Sequence, residues 1–236
     1  MDKKTIENFI NRYSIGGEVE SVTIKVDSDK MSVNFISDDK TLLGTVTSDV
    51  VGFPDGEFSI YTTSQLKAML NILESSITVG SKVNEASKEA FIKFSDKSTS
   101  VTYMLCEPSV IPVVPPLKAI PDFEVKIDID DDFISKYTKA KSGISSDKFT
   151  FIRNEKDAEI VLGYSSRNTN RVSIQIDCKC ATDVDPISFS SNYLKEILTS
   201  NRGSKSATME ISTKGLCRLV FKTDEIESTY LLVQMK

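Results

Sequence analysis

Residues 58–73, FSIYTTSQLKAMLNIL, have a counterpart at residues 186–201, PISFSSNYLKEILTSN. At this offset of 128 positions Leu66 falls opposite Leu194, and Leu70 falls opposite Leu198. Each stretch begins with alternating apolar residues, which is typical of a strand. It continues with apolar residues three and four positions apart, which is typical of an amphipathic helix. Both stretches therefore predict a strand that leads into a helix of about three turns.

A second pair of helices is predicted at the same offset. Ile6 and Phe9 fall opposite Ile134 and Tyr137, again with helical spacing. Two helices that recur at one offset favour a duplicated domain. Chance alignment of two unrelated helical patterns is the alternative, because apolar periodicity is common. The predicted N-caps of the last three helices are Thr63 or Ser64, Asp130 or Asp131, and Ser190 or Ser191.

The remaining sequence is dominated by strand-like alternation of apolar and polar residues. The predicted strands lie at 19–26, 31–36, 90–94, 149–152, 171–176 and 216–221. Turn-forming Asp, Ser, Asn and Gly residues separate them, which indicates antiparallel hairpins. The predicted fold class is therefore α+β, with two similar domains that each place two helices on an antiparallel sheet. The predicted domains are residues 1–107 and 123–236, joined by a connector at residues 108–122.

Composition excludes several functional classes. The 236 residues include no His, which excludes mechanisms that depend on an imidazole base or ligand. The 29 basic and 34 acidic residues give a net charge of -5, so any contact with nucleic acid must be local. No apolar run approaches the length of a signal peptide or a membrane span. We expect a soluble, intracellular protein that makes no membrane contact.

The predicted connector is both proline-rich and apolar. Residues 107–121 hold five of the seven prolines, which favour an extended and stiff backbone. They also hold six aliphatic residues, which is unusual for a linker. Packing of these side chains on their own domains is one explanation, and a border around an exposed apolar groove is the other.

No motif predicts catalysis, a metal site or a cofactor. Asp128, Asp130 and Asp132 have the spacing that opens an EF-hand loop, but Phe133 and Lys139 replace the Gly and Glu that calcium requires. These aspartates are better explained as the start of a helix. The pair Cys178 and Cys180 lacks a second pair of ligands, so a zinc site is not expected. We expect these two residues to be buried thiols instead. No phosphate-binding glycine loop occurs.

The polar faces of the four predicted helices are basic and rich in amides. Segments 2–13, 64–74, 131–142 and 191–202 hold nine Lys or Arg residues against six Asp or Glu residues. Solvated helix faces are often charged, which is the simpler explanation of this bias. The face opposite the apolar stripes includes Lys4, Asn8, Asn11, Arg12, Lys67, Asn71, Lys136, Lys139, Asn192, Lys195 and Arg202.

This layout resembles the ring-shaped DNA sliding clamps. The resemblance covers nearly the whole chain and is clearest at residues 58–73, in the Val- and Pro-rich connector 108–121, and in the helix at 131–141. It is closest to the polymerase clamp of T-even-type bacteriophages, and the family is similar to proliferating cell nuclear antigen. The resemblance implies a non-enzymatic processivity factor. Three copies of the chain would form a ring around double-stranded DNA and tether a DNA polymerase.

The resemblance also implies partners and two sets of site residues. An ATP-driven clamp loader would open the ring, and phage transcription machinery is a further partner that the resemblance leaves open. The location would be the host cytoplasm if the source is a phage. The polar helix residues named above would line the DNA channel. A pocket for client peptides would use Ile36, Leu42, Val113, Val114, Leu117, Tyr230 and Leu232, for which ordinary core packing is the alternative.

Two other functional classes compete with a clamp. A non-catalytic β-rich viral structural protein would share the strands and the lack of catalytic motifs, but would be indifferent to charge on the helix faces. An enzyme that uses carboxylates or a metal is the third and least favoured hypothesis, and a metal bound at Asp128, Asp130 and Asp132 would support it.

Overall fold

The computed structural model describes residues 1–50, 52–83, 90–116, 119–154, 157–165, 167, 169–180 and 184–235. They form two compact units. The first unit comprises Met1–Asp38, Gly44–Val114 and Glu225–Glu227, and the second comprises Asp39–Leu43, Pro115–Asp224 and Ser228–Lys236. Among the described residues each unit has two α-helices and antiparallel strands, so the predicted α+β class is confirmed.

The helices recur at the predicted offset. Helices α1 (Lys3–Ser14) and α3 (Asp131–Gly143) begin 128 positions apart, as do α2 (Thr63–Leu70) and α4 (Ser191–Ser200). A tyrosine of the first helix reaches the first residue of the second helix in both units. Tyr13 Oη lies 3.2 Å from Thr63 Oγ1, and Tyr137 Oη donates to the Ser191 carbonyl at 3.2 Å. The two units are therefore similar domains.

The strand order also repeats between the units. The first unit has the orders β3–β2–β1–β4 and β5–β6–β7, and the second has β11–β10–β9–β13 and β12–β8–β14–β15–β16. The strands lying mainly in the first unit are β1 Val22–Asp27, β2 Lys30–Ile36, β3 Leu42–Asp49, β4 Gly56–Ile60, β5 Thr78–Val83, β6 Ala90–Ser95 and β7 Ser100–Met104. Those lying mainly in the second are β8 Val125–Asp128, β9 Lys148–Asn154, β10 Asp157–Leu162, β11 Val172–Ile176, β12 Cys178–Cys180, β13 Ile187–Ser190, β14 Ser206–Ser212, β15 Leu216–Lys222 and β16 Ile226–Val233.

Two of the predicted helix N-caps are confirmed. Asp130 accepts a hydrogen bond from the Phe133 N–H at 2.7 Å, and Ser190 accepts one from the Tyr193 N–H at 3.3 Å. These bonds satisfy amides that have no partner within the helix. Asp130 therefore marks the start of a helix, as the acidic run predicted.

Helix α2 is capped in a different way from the prediction. Thr63 and Ser64 are the first two helical residues rather than caps, and Thr62 at the N-cap makes no side-chain hydrogen bond to the helix. The Ser64 N–H donates instead to the Glu20 carboxylate at 2.8 Å, and the Thr63 N–H donates to the Glu20 carbonyl at 3.0 Å. A residue 43 positions earlier than Thr63 therefore fixes this helix start.

Apolar side chains from the helices and the sheet fill the core of each unit. In the first unit Phe9 and Tyr13 of α1 are almost completely buried and meet edge to face, with ring centroids 5.8 Å apart. In the second unit Tyr137 of α3 packs edge to face on Phe149 at 6.2 Å, and Phe149 contacts Phe189 at 5.6 Å. Aromatic pairs of this kind stabilise a fold by more than the burial of their apolar surface alone.

Within the described ranges, no helix combines the length and the apolar character needed to cross a membrane.

Candidate nucleic-acid interface and protein-docking residues

Each unit carries one pair of packed helices whose apolar stripes face the core. Helix α1 buries Ile6, Phe9, Ile10 and Tyr13, and α4 buries Leu194, Ile197 and Leu198. The opposite faces are open to solvent. Most predicted polar residues of each unit therefore lie on the exposed faces of two neighbouring helices.

The structure leaves ten of the eleven predicted channel residues at least partly accessible. Asn11, Lys67 and Lys195 are half-buried. The exposed ones are Lys4, Asn8, Asn71, Lys136, Lys139, Asn192 and Arg202. In the first unit only Lys4 and Lys67 of the predicted set supply positive charge to this surface, whereas the second unit supplies four cations. The first helix pair therefore holds fewer of the predicted cations, before pairing with carboxylates is considered.

The prediction for Arg12 is wrong. Its side chain is buried, with 5% of its surface exposed. The reason is helical geometry: Arg12 is three residues after Phe9, so it projects on the flank of the buried stripe rather than opposite it. Arg12 therefore does not contribute to the exposed basic face.

Two of the accessible lysines have their charge compensated by neighbouring carboxylates. Lys136 Nζ lies 2.6 Å from Asp132, and Lys195 Nζ lies 3.0 Å from Glu196. The hydrogen bond that Lys136 donates to the Asp132 carboxylate raises the pKa of Lys136 above its ordinary value. The Asp132–Lys136 pair has i,i+4 spacing, a pattern that sequence inspection could have found. Among the described residues, no ion pair involves Lys4, Lys67, Lys139 or Arg202.

Lys3 belongs to the helix packing rather than to the basic face. Its Nζ donates to the Leu73 carbonyl at 2.7 Å, just beyond the end of α2, and also pairs with Glu7 at 3.5 Å. A cation at the carboxyl end of a helix stabilises the helix dipole. Lys3 therefore links α1 to α2 within the first unit.

The predicted client-pocket residues fall into two groups. Ile36 and Val114 are half-buried, and Val113 is 88% exposed. Leu42, Tyr230 and Leu232 are at most 1% exposed. Leu117 lies outside the described residues.

The prediction is wrong for the three buried residues because they form part of the core of the second unit. The Tyr230 ring meets Phe221 edge to face at 6.0 Å, and its Oη accepts a hydrogen bond from Asn201 Nδ2 at 2.8 Å. Tyr230, Leu231 and Leu232 are all buried in succession, so both faces of β16 are covered at this point. A peptide cannot reach these side chains without displacing the core.

The connector supplies the exposed apolar surface instead. Val110 is 53% exposed, Val113 88% and Ile120 50%. A short 3-10 turn at Pro108–Val110 begins this segment, and Ile111, which follows it, has an extended backbone. Exposed aliphatic side chains on an extended segment are suited to docking of a protein with apolar anchors.

A cavity in the second unit was not predicted from the sequence. It has a volume of about 450 Å³ and lies between the start of α3 and strands β8, β11 and β12. Phe133, Ile174 and Ile176 contribute apolar surface, and four aspartates and two lysines line it as well. Strand β11, which lines one side of the cavity, is the terminal strand of its sheet among the described residues. The residues come from two separate segments, 126–136 and 174–178, which is why local patterns did not reveal it.

Solved structures with the same architecture identify the fold. Proliferating cellular nuclear antigen from Entamoeba histolytica aligns with 100% of this chain and 96% of its own, with a TM-score of 0.74 and 12% identity. PCNA from A. fulgidus, in a structure with the C-terminal region of FEN-1 bound, aligns over 100% and 97%, with a TM-score of 0.76 and 15% identity. The PCNA2–PCNA3 complex from Sulfolobus tokodaii aligns over 99% and 97%, with a TM-score of 0.74 and 8% identity. The chain has the sliding-clamp fold.

The clamp fold extends over the whole chain, as the sequence resemblance implied. No protein-family model and no curated protein sequence matches the chain. Identities of 8–15% establish the architecture alone. The closer resemblance to the clamps of T-even phages stays a prediction.

Proposed function

We propose that this chain is the subunit of a DNA sliding clamp that encircles duplex DNA and tethers a DNA polymerase as a processivity factor. The observation that carries the proposal is the clamp fold over the full length of the chain. A clamp needs no catalytic residues, because it holds its partners in place by topology. The proposed location is the cytoplasm, that of the infected host if the source is a phage.

The helix faces support a role in binding duplex DNA. Lys67 of α2 and Lys139 of α3 lie on packed helix pairs, and Asn8 of α1 and Asn192 of α4 are exposed on the partner helices. Phosphate contacts give affinity without sequence preference, and affinity rises with the number of phosphates neutralised. A sparse set of cations mixed with amides therefore suits a protein that must move along DNA. The net charge of -5 limits binding to DNA elsewhere on the surface.

Two open sheet edges support self-assembly. Among the described strands, β7 ends the β5–β6–β7 sheet of the first unit, and β11 ends the β11–β10–β9–β13 sheet of the second. An edge strand presents unpaired amides and carbonyls that can pair with another chain. If β7 of one copy adds to β11 of the next, the contact is head-to-tail, and head-to-tail contacts close into rings when the rotation permits. Met104 of β7, which is 51% exposed, would then approach the cavity beside β11. We propose three copies per ring.

The exposed aliphatic residues of the connector support docking of client proteins. The C-terminal region of FEN-1 is bound to the PCNA of A. fulgidus, which has the same fold. We propose that the polymerase, and any phage transcription partner, docks through apolar anchors on Val110 and Val113. A closed ring must be opened before it can enter circular DNA, so we propose a separate ATP-driven clamp loader.

The alternative of a β-rich viral structural protein is not favoured. It accounts for the strands, but it does not account for accessible cations such as Lys67 and Lys139, which make no ion pair with any residue that the structure describes, on both helix pairs.

A threading experiment tests the proposed function without knowledge of the loader. A long duplex is fixed to a bead at one end, and its other end is left open or is blocked by a bulky protein. A ring can thread over the open end at low salt and can then be trapped by blocking that end. Binding that resists a wash at high salt is expected only for DNA that was open during loading and blocked before the wash.

Two measurements complete the test. The mass in solution is expected near three times 26.2 kDa. Equal retention on DNA that was blocked throughout would show ordinary electrostatic binding and would refute encirclement. A monomer at high micromolar concentration that is never retained would refute the clamp function itself.

A further inference from the structure

Two of the predicted channel lysines of the second unit lie beside carboxylates of their own helices. Lys136 of α3 lies 2.6 Å from Asp132, about one helical turn earlier, and Lys195 of α4 lies 3.0 Å from the adjacent Glu196. Both carboxylates belong to the helices that we assign to DNA binding. Each of these lysines therefore has an anionic partner before any phosphate approaches.

The first unit has no carboxylate at the corresponding positions. At the offset of 128 that relates the helices of the two units, Asp132 corresponds to Lys4 and Glu196 corresponds to Ala68. Ala68 is exposed, and its neighbour Lys67 makes no ion pair with any residue that the structure describes. Helices of this fold therefore form without an acidic residue at either position, so the two carboxylates are not needed to build them.

The two ion pairs make the helix pairs equal in their number of unpaired channel cations. Of the predicted channel residues, the first helix pair holds two cations and the second holds four, of which two are paired with carboxylates. The other two, Lys139 and Arg202, make no ion pair within the described part of the chain, as is also true of Lys4 and Lys67. Each helix pair thus offers two cations that need not leave a carboxylate in order to contact a phosphate.

A phosphate that contacts a paired lysine must displace the carboxylate. The carboxylate also repels the phosphate, over a range of about 10 Å at 0.1 M salt. The side chains of Lys195 and Glu196 are 37% and 26% exposed, whereas those of Lys136 and Asp132 are 62% and 66% exposed. Water and salt screen the less exposed pair less effectively, so Glu196 should oppose DNA more strongly than Asp132.

We propose that Glu196 and Asp132 are internal counterions that compete with DNA phosphates for Lys195 and Lys136 and so weaken the hold of the second unit on DNA. The proposal rests on the proposed function, because it takes these helices to contact the duplex. Affinity for DNA rises with the number of phosphates neutralised. A ring that is held on DNA by enclosure gains nothing from tight contacts at every cation, since such contacts would oppose its movement.

The test compares Glu196→Gln with Glu57→Gln in the full chain, by fluorescence anisotropy of a short labelled duplex at low salt. Glu57 of β4 pairs with Lys25 of β1 at 2.8 Å, so its replacement removes the same charge and releases the same kind of cation away from the helices. Glu196→Gln is expected to raise the affinity about 1.4- to 5-fold for each copy that contacts the duplex, and Glu57→Gln should not raise it. The reverse change, Ala68→Glu, places a carboxylate beside Lys67 and should lower the affinity by a similar factor.

A double-mutant cycle separates competition for Lys195 from a general loss of negative charge. Lys195→Gln should cost little affinity in the wild-type chain and more in a chain that carries Glu196→Gln. Asp132→Asn is expected to raise the affinity by less than Glu196→Gln, because its ion pair is the more exposed one. Equal gains from Glu196→Gln with and without Lys195→Gln, or equal gains from Glu196→Gln and Glu57→Gln, would overturn the proposal.

Failure of this proposal and failure of the proposed function give different results. Wild-type affinity in Glu196→Gln, together with retention in the threading experiment, would reject the internal counterions and leave the clamp function standing. Raised affinity in Glu196→Gln without retention by threading would support the internal counterions and reject encirclement. Absence of duplex binding by every variant at low salt would overturn both.

Discussion

Replacing Lys139 by Gln is expected to weaken the salt dependence of DNA binding. Lys139 is exposed on α3, and no ion pair among the described residues compensates its charge. In the proposed ring its ammonium group contacts DNA phosphates and releases the counterions condensed on them. The matched control is Lys93→Gln, which removes the same charge from β6. Lys93 is exposed on the face of that strand opposite the buried Ile92 and Phe94.

The magnitude follows from counterion release. Each phosphate contact contributes a slope of about -0.9 to the plot of log affinity against log salt concentration. Loss of one contact therefore makes the slope shallower by about 0.9 for each copy of the chain that touches the duplex. Between 50 and 200 mM salt, one contact corresponds to a change in affinity of about three- to fourfold.

The assay is fluorescence anisotropy of a short labelled duplex, titrated with each variant at several salt concentrations. We expect a shallower slope for Lys139→Gln and the wild-type slope for Lys93→Gln. If both variants change the slope equally, net charge rather than the helix face controls binding. If neither variant changes it, DNA does not contact α3, and the assignment of the helices to the channel is refuted.

Three further predictions concern stability. Asp130→Ala should lower the unfolding free energy by about 0.5–2 kcal/mol in denaturant titrations because it removes the N-cap of α3. Asp131→Ala removes no cap and should lower the unfolding free energy by less, so equal losses would contradict the capping assignment. A methyl group at Gly44 would overlap the Phe35 ring, so Gly44→Ala should cost about 1–3 kcal/mol, and adding Phe35→Leu should recover part of that loss; a neutral Gly44→Ala would contradict the packing. Asp96 accepts hydrogen bonds from three backbone amides, which lower its pKa. The stability that these bonds confer is therefore present above about pH 4 and is lost as the pH falls through the lowered pKa. The difference in unfolding free energy between wild type and Asp96→Ala should shrink in acid, and a constant difference from pH 7 to pH 2 would contradict this.

Local patterns predicted the helices because their causes are local. Apolar spacing located all four, and Asp130 and Ser190 act as caps within three residues of the amides they bind. The start of α2 was displaced because Glu20, which lies far away in the sequence, binds its first amides. Contacts between distant segments leave no periodic signal, so the sequence could not reveal this cap.

The candidate site was predicted less completely than the fold. Whether a side chain is exposed depends on what packs against it, and Tyr230 is buried against Phe221 and Asn201, which lie outside its own strand. The cavity beside β11 combines α3 with strands from two sheets, so it emerges only from the tertiary structure. The repeat offset, by contrast, was visible in the sequence because both copies keep the same order of elements.

The most direct measurement of the proposed assembly is electron microscopy of the purified protein at a concentration where its mass has been determined. We expect class averages of a closed ring with a central hole and a mass near three times 26.2 kDa. Compact particles without a hole, at any mass, would contradict the claim that this chain encloses DNA.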